Sequence, residues 1–363
     1  MTLPTIEDKI KAIQDELKKT QYNKATEHHI GILKAKMSQL IIESESRRKG
    51  GGKGFSIEKS GDATVALVGY PNVGKSSLLN RLTDSDSEIG SYAFTTLKVI
   101  PGTMKFRGAI IQILDLPGII ENAAAGSGRG REVLSAVRAA DLILLVTDVR
   151  TGGINNIIME LRNAGIVVGR KKKNISMKKT NSGGIRVYSP KATPVKESEI
   201  RDILKEFKIT NCELFIREAV DADDIIDFLR GNTIHLPVLI AVNKSDLAYD
   251  REKIEDSLPA AIKHVFVSAS TGAGLEDLKI GIYDSLNLIR IYMREKSGEI
   301  DYERPLILRR GAKVRDVCRH ISREMLSSFR YAIVLNNRRK TTEMRVGLDY
   351  KMEDEDIVTI ISR

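Results

Sequence analysis

Gly69-Tyr70-Pro71-Asn72-Val73-Gly74-Lys75-Ser76 is the stretch whose reading decides the rest of the chain. The apolar run Thr64-Val65-Ala66-Leu67-Val68 in front of it predicts a buried strand, and Ser77-Leu78-Leu79-Asn80-Arg81-Leu82 behind it continues at helical period. A glycine-bracketed turn between a strand and a helix N-terminus is a cradle for phosphate. Backbone N–H groups curl round the anion at the positive end of the helix, and the glycines permit the close approach. Residues 69–77 are therefore the candidate phosphate-binding set, in which Lys75 adds a point charge for the β- and γ-phosphates and the Ser76 hydroxyl is placed to ligate Mg²⁺. The competing reading is a Gly-rich turn with an incidental lysine, and the segments on either side weigh against it.

From Ala63 onward strands and helices alternate, which predicts an α/β fold with a doubly wound, mostly parallel sheet covered on both faces. After the polar segment 84–90 comes Tyr92-Ala93-Phe94-Thr95-Thr96. Thr96, or failing that Thr95, is the candidate switch threonine whose hydroxyl joins the Mg²⁺ shell when a γ-phosphate is present. The strand Ile110-Ile111-Gln112-Ile113-Leu114 ends at Asp115-Leu116-Pro117-Gly118. An acidic residue at the end of a buried strand can hold Mg²⁺, and the Gly118 N–H can bond the γ-phosphate. Gly126, Gly128 and Gly130 have no strand in front of them, so they mark a mobile second switch rather than a dinucleotide fingerprint.

The strand Val238-Leu239-Ile240-Ala241-Val242 ends in Asn243-Lys244-Ser245-Asp246, and this selects the base. Guanine presents N1–H and its exocyclic amine side by side, a pair that the Asp246 carboxylate accepts bidentately, whereas adenine has an acceptor at N1. Asn243 is expected to brace the loop and the base edge, and the Lys244 stem to cover the ring. Ser268, Ala269 and Ser270 follow a further strand, with the Ala269 N–H placed to reach the guanine carbonyl oxygen.

The strand beginning at Leu142 and the one beginning at Val238 start 96 residues apart. A βαβ unit needs about 30 residues, so roughly 60 have been inserted, at about 166–232. The insert opens with Arg170-Lys171-Lys172-Lys173 and continues through Lys178-Lys179 and Arg186; it reads as a small α+β subdomain whose basic edge is either a solvated surface or a contact for RNA phosphates. At the N-terminus, Ile6, Ile10, Ile13 and Leu17, then Ile30, Leu33, Met37 and Leu40, predict a helical hairpin leading into the basic linker Arg47-Arg48-Lys49-Gly50-Gly51-Gly52-Lys53-Gly54. An amphipathic helix is predicted from Leu275 to Tyr292, and short strands around one helix after Gly298 predict a β-grasp, with Arg338-Arg339-Lys340 as an RNA-facing turn. The resulting domains are 1–60, 61–165, 166–232, 233–295 and 298–363.

With 363 residues and a formal charge of +10, the chain is expected to hold several domains and to meet a polyanion. Cys212 and Cys318 lack metal or disulfide spacing, and no apolar run reaches the roughly 20 residues of a membrane span. A cytoplasmic monomer is the expectation.

With these stations assembled, the chain resembles the developmentally regulated GTP-binding proteins, relatives of the Obg GTPases in the translation-factor class. The resemblance is carried by Lys24-Ala25-Thr26-Glu27-His28-His29, Lys59-Ser60-Gly61-Asp62-Ala63, Tyr92-Ala93-Phe94-Thr95-Thr96-Leu97, Leu114-Asp115-Leu116-Pro117-Gly118-Ile119-Ile120 and Pro305-Leu306-Ile307-Leu308-Arg309-Arg310-Gly311. It implies a P-loop GTPase hydrolysing GTP to GDP and phosphate, interrupted by an S5D2-like insert and followed by a TGS domain that engages the ribosome or its RNA. It further implies a stabilising partner protein in eukaryotic members, and K⁺ on Asn72, matching the asparagine of potassium-stimulated relatives; asparagine also suits a turn with positive φ. One departure bears on rate. Many small GTPases place a glutamine after the Asp-x-x-Gly glycine, and here Ile119 cannot orient water, so intrinsic turnover should be slow and an activator worth up to about 10⁵ is expected. Two other readings stay open: an RNA-binding assembly factor clamped by nucleotide, and a signalling switch that recruits a protein through the TGS domain.

Overall fold

Three apolar runs without polar alternation become strands buried at every residue: Ala63–Val68, Leu142–Asp148 and Val238–Asn243. That is what a parallel strand covered on both faces requires. They sit inside a six-stranded sheet ordered His264–Phe266, Val238–Asn243, Leu142–Asp148, Ala63–Val68, Ala109–Asp115, Ile100–Phe106. The first five are parallel, and only the edge strand Ile100–Phe106 runs antiparallel to its neighbour. The doubly wound α/β sheet is thus present, and its parallel strands deliver their carboxyl ends to one edge, where such sheets bind ligands. Helix Lys75–Leu82 buries Leu78, Leu79 and Leu82, and helix Leu275–Leu286 buries Leu278, Ile282, Tyr283 and Leu286, all into the core that holds Val65, Leu67, Ile111 and Leu144.

The computed structural model describes residues 5–21, 23–24, 26–47, 60–83, 100–116, 135–295, 298–336 and 343–362. The chain divides into two compact units, Met1–Gly54 with Ile158–Leu236, and Phe55–Ile157 with Pro237–Arg363.

The second of these also holds a C-terminal sheet, ordered Leu306–Arg309, Leu288–Met293, Asp356–Ser362, Phe329–Asn336, Met344–Val346. Helix Val314–Ile321 lays Val314, Val317 and Cys318 on it, the mixed sheet gripping one helix that the tail predicts. The helix expected to reach Tyr292 stops at Leu286. Asn287 takes a left-handed φ of 52° as its C-cap, and Leu288–Met293 becomes a strand pairing with Leu306–Arg309 on one side and Asp356–Ser362 on the other.

In the first unit, helix Ile6–Lys19 is held by a reciprocal cap between Thr5 and Asp8 and packs Ile10, Ile13 and Leu17 against Leu33, Met37 and Leu40 of helix Glu27–Arg47, forming the expected hairpin. The insert is a three-stranded sheet, Ile175–Lys179, Cys212–Ile216, Ile185–Tyr188, backed by helices Glu197–Glu206 and Ala222–Arg230. The hairpin's Ala35 is fully buried in the insert core, and Lys34 Nζ donates to Asp223 Oδ1 at 3.0 Å.

Candidate active site

The chain leaves Ala63–Val68 at Gly69 beneath the carbonyl oxygen of Val146, with which any Cβ at position 69 would collide. Val73 is fully buried and anchors the middle of the loop, whereas Pro71, Asn72, Ser76 and Ser77 are exposed. Asn72 turns with a φ of 62°. Gly74, with a φ of 92°, passes so close to the Asn243 side-chain amide that a Cβ would not fit, and then caps helix Lys75–Leu82. The loop thereby brings consecutive backbone N–H groups to a helix start, as an anion requires. Lys75 Nζ donates to the carbonyls of Gly69 (3.0 Å) and Tyr70 (2.8 Å), which keep the ammonium against the loop. Tyr70 lies over the same core, its hydroxyl 3.5 Å from the Gly153 carbonyl.

One strand over, Asp115 ends Ala109–Asp115 opposite Leu67. Asp115 is 4% exposed; Oδ2 accepts from Ser76 Oγ at 2.6 Å, and Oδ1 is buried with no hydrogen-bond partner among the described residues. A buried carboxylate oxygen left open beside a serine hydroxyl is an oxygen donor pair suited to Mg²⁺, so the two residues fit the ion. Leu116 points its side chain into the core and offers the site only its backbone. Thr95, Thr96, Pro117, Gly118, Ile119, the glycines at 126, 128 and 130, residues 48–54 of the linker and the turn at 338–340 lie outside the described residues.

The base-side loops are tied to the phosphate loop by three side chains. Asn243, 2% exposed, donates from Nδ2 to Val73 O at 2.9 Å and accepts at Oδ1 from the Ala269 N–H at 3.0 Å. The bracing is as expected, but the Ala269 N–H expected at the guanine oxygen is engaged by Asn243, whose buried amide oxygen needs a donor of its own. Lys244, at a φ of 62°, bridges Asn72 O (2.7 Å) and Asp148 Oδ2 (2.6 Å). Burial pushes the Asp148 carboxyl up, but the bonds from Lys244 and Thr151 and the N–H groups of Arg150 and Thr151 outweigh it and hold the group below the usual carboxylate range. Arg81 reaches from the phosphate-loop helix to the carbonyls of Ala269 and Ser270, both at 2.9 Å. Asp246 accepts from Ser268 Oγ at 2.5 Å, a bond that lowers its pKa, and Ser268 Oγ also meets Ser270 Oγ at 2.8 Å. The carboxylate stays an acceptor.

Asp148 and Arg81 carry parts of this architecture that the sequence alone leaves unassigned. Asp148 stands at the end of a buried strand in register with Asn243, and that position is its only sequence signal. Arg81 looks like any cation in the last turn of a helix.

Residues 64–179 match the family model described as "50S ribosome-binding GTPase", 182–288 the "C-terminal region of MMR_HSR1 domain", and 289–362 the TGS domain. Similar proteins include an uncharacterized GTP-binding protein of Methanocaldococcus jannaschii, 46% identical over 98% of this chain and 93% of the relative. Developmentally-regulated G-protein 3 of Arabidopsis thaliana is 41% identical over 99% and 100%, and developmentally-regulated GTP-binding protein 2 of Homo sapiens 40% over 98% and 99%. With a phosphate loop, a base loop and relatives of this likeness along nearly its whole length, the chain belongs to the developmentally regulated GTP-binding proteins, a family of GTP-hydrolysing P-loop GTPases.

Proposed function

We propose that the chain couples GTP binding and hydrolysis to association with the ribosome or its RNA in the cytoplasm. The observation that carries the RNA side of this reading is the exposed cation-rich surface of the insert. Between residues 170 and 219 there are thirteen Lys and Arg against six Asp and Glu, and Lys171, Lys172, Lys178, Lys179, Arg186 and Lys191 are all exposed. The family description matched by residues 64–179 points the same way. Such a surface draws phosphate backbones by releasing their counterions.

At the nucleotide, Asp246 accepts the paired donors of guanine, kept anionic by Ser268. Asn243, Lys244 and Arg81 hold the base loops at a fixed distance from the phosphate loop. Lys75 and the loop N–H groups would meet the triphosphate, with the Gly118 N–H as the expected donor to its γ-phosphate. Ser76 and Asp115, with Thr96 as the expected third ligand, would hold Mg²⁺, which would supply charge neutralisation. Asn72 is the proposed ligand for K⁺: it is exposed on the phosphate loop, while its φ of 62° is what a plain turn asparagine would also show. Rates of hydrolysis in K⁺ and in Na⁺ test this, and equal rates remove Asn72 from that role.

Co-sedimentation with ribosomes in GTP, GDP and a non-hydrolysable analogue tests the whole reading. Nucleotide-dependent pelleting that weakens from about 50 to about 200 mM salt is the expected result. Pelleting indifferent to nucleotide and to Lys75→Ala would make the protein an RNA-binding assembly factor, and no pelleting in any state would refute ribosome association.

A further inference from the structure

The three-stranded sheet of the insert has one face covered and one open. Cys212, Leu214 and Ile216 of its central strand are buried beneath the two backing helices, so Glu213 and Phe215 face the other way. Register sets Phe215 between Ser176 and Tyr188, and Glu213 between Lys178 and Arg186. The Tyr188 and Phe215 rings stack with centroids 4.9 Å apart and planes within 8°, and Tyr188 is 47% exposed. Such a stacked aromatic pair adds about 0.5–1.5 kcal/mol beyond its buried area, a small return for leaving two large rings outside the core. The flanks are cationic. Lys178, Arg186 and Arg217 are exposed, and Arg217 is oriented by Asn174 Oδ1 at 3.1 Å and Ser176 Oγ at 3.2 Å. Glu213 is the opposing charge on this face, and Arg186 lies 3.7 Å from it.

We propose that this open face binds single-stranded RNA, with Tyr188 and Phe215 as a platform on which bases stack and Lys178, Arg186 and Arg217 on the phosphates. Every base has a π-face, so a flat aromatic pair serves any sequence, while cations at its margin follow the backbone. Charge complementarity selects RNA over a protein partner: the rings are ringed by cations and small polar groups rather than by further apolar surface. The proposal rests on the RNA-association reading above and assigns it to one face.

The chain contains no tryptophan, so Tyr188→Trp places a single indole on the platform. Titrating that full-length variant with an unstructured oligouridylate of about twelve nucleotides should give saturable quenching that weakens with salt. The double variant Tyr188→Ala/Phe215→Ala should bind the oligonucleotide about tenfold or more weakly by fluorescence anisotropy, Tyr188→Phe should retain affinity, and GTP hydrolysis should be unchanged in all of them. An unquenched indole, or wild-type affinity in the double alanine variant, overturns the proposal. If ribosomes still pellet the wild-type chain in that case, only the assignment to this face falls. If neither RNA nor ribosomes are bound, the association itself falls with it.

Discussion

Replacing Asn243 by alanine asks whether the nucleotide site is held together by the protein or by the nucleotide. The side chain joins Val73 O at 2.9 Å to Ala269 N at 3.0 Å in a setting where Val73 is fully buried and Ala269 is 8% exposed. Alanine leaves one carbonyl and one N–H buried and unpaired, at about 1–3 kcal/mol each, or about 2–6 kcal/mol together. In a unit of this size each kcal/mol moves the melting temperature by about 2–4 °C, so the fall is about 4–24 °C. Calorimetric melting of nucleotide-stripped protein reads that term alone, and competition binding of GTP on the same samples reads the site. Both should drop. Asn243→Asp keeps the acceptor for Ala269 but sets an oxygen against Val73 O, so it too should melt below wild type. A nucleotide-stripped Asn243→Ala that melts within about 1 °C of wild type while losing GTP would refute the bracing argument.

Arg81→Gln removes two bonds to the carbonyls of Ala269 and Ser270 from an exposed helix face; GTP affinity should weaken about tenfold, with melting nearly unchanged, in a paired titration and thermal scan. Asp115→Asn takes the anionic oxygen from beside Ser76, so the Mg²⁺ concentration giving half-maximal hydrolysis should rise by about tenfold or more. Glu199 is buried, its Oε1 has no hydrogen-bond partner among the described residues, and burial holds its carboxyl above the usual range. A raised carboxyl contributes stability that is present below the unfolded pKa near 4.3 and is lost as pH rises through the folded value. Glu199→Gln should therefore melt above wild type at pH 7, with the gain gone near pH 4 in a pH series of thermal melts.

The sheet and the two nucleotide loops were legible because their signals are local. A buried parallel strand is a short unbroken apolar run, and the residues that grip phosphate and guanine sit within eight positions of a strand end. Connections across the site were not legible. Lys244 to Asp148 spans 96 positions and Arg81 to Ala269 spans 188, and nothing in the composition of either partner marks the other. The helix end at Leu286 was hidden for a different reason: Ile282, Leu286 and Ile289 continue helical spacing, while Leu288, Ile289 and Ile291 serve equally as strand residues, so only the left-handed Asn287 separates the two. The packing of the N-terminal hairpin on the insert likewise rests on Ala35 and Lys34, ordinary residues of an amphipathic helix.

The most direct test of the account is calorimetric titration of the Mg²⁺-supplied protein with GTP and with ATP, alone and after Asp246→Ala. If the carboxylate at 246 chooses the base, the wild type should favour GTP by about 10⁴ or more and the variant should bring the two nucleotides close to parity. Comparable affinities in the wild type, or an undiminished preference in Asp246→Ala, would contradict it.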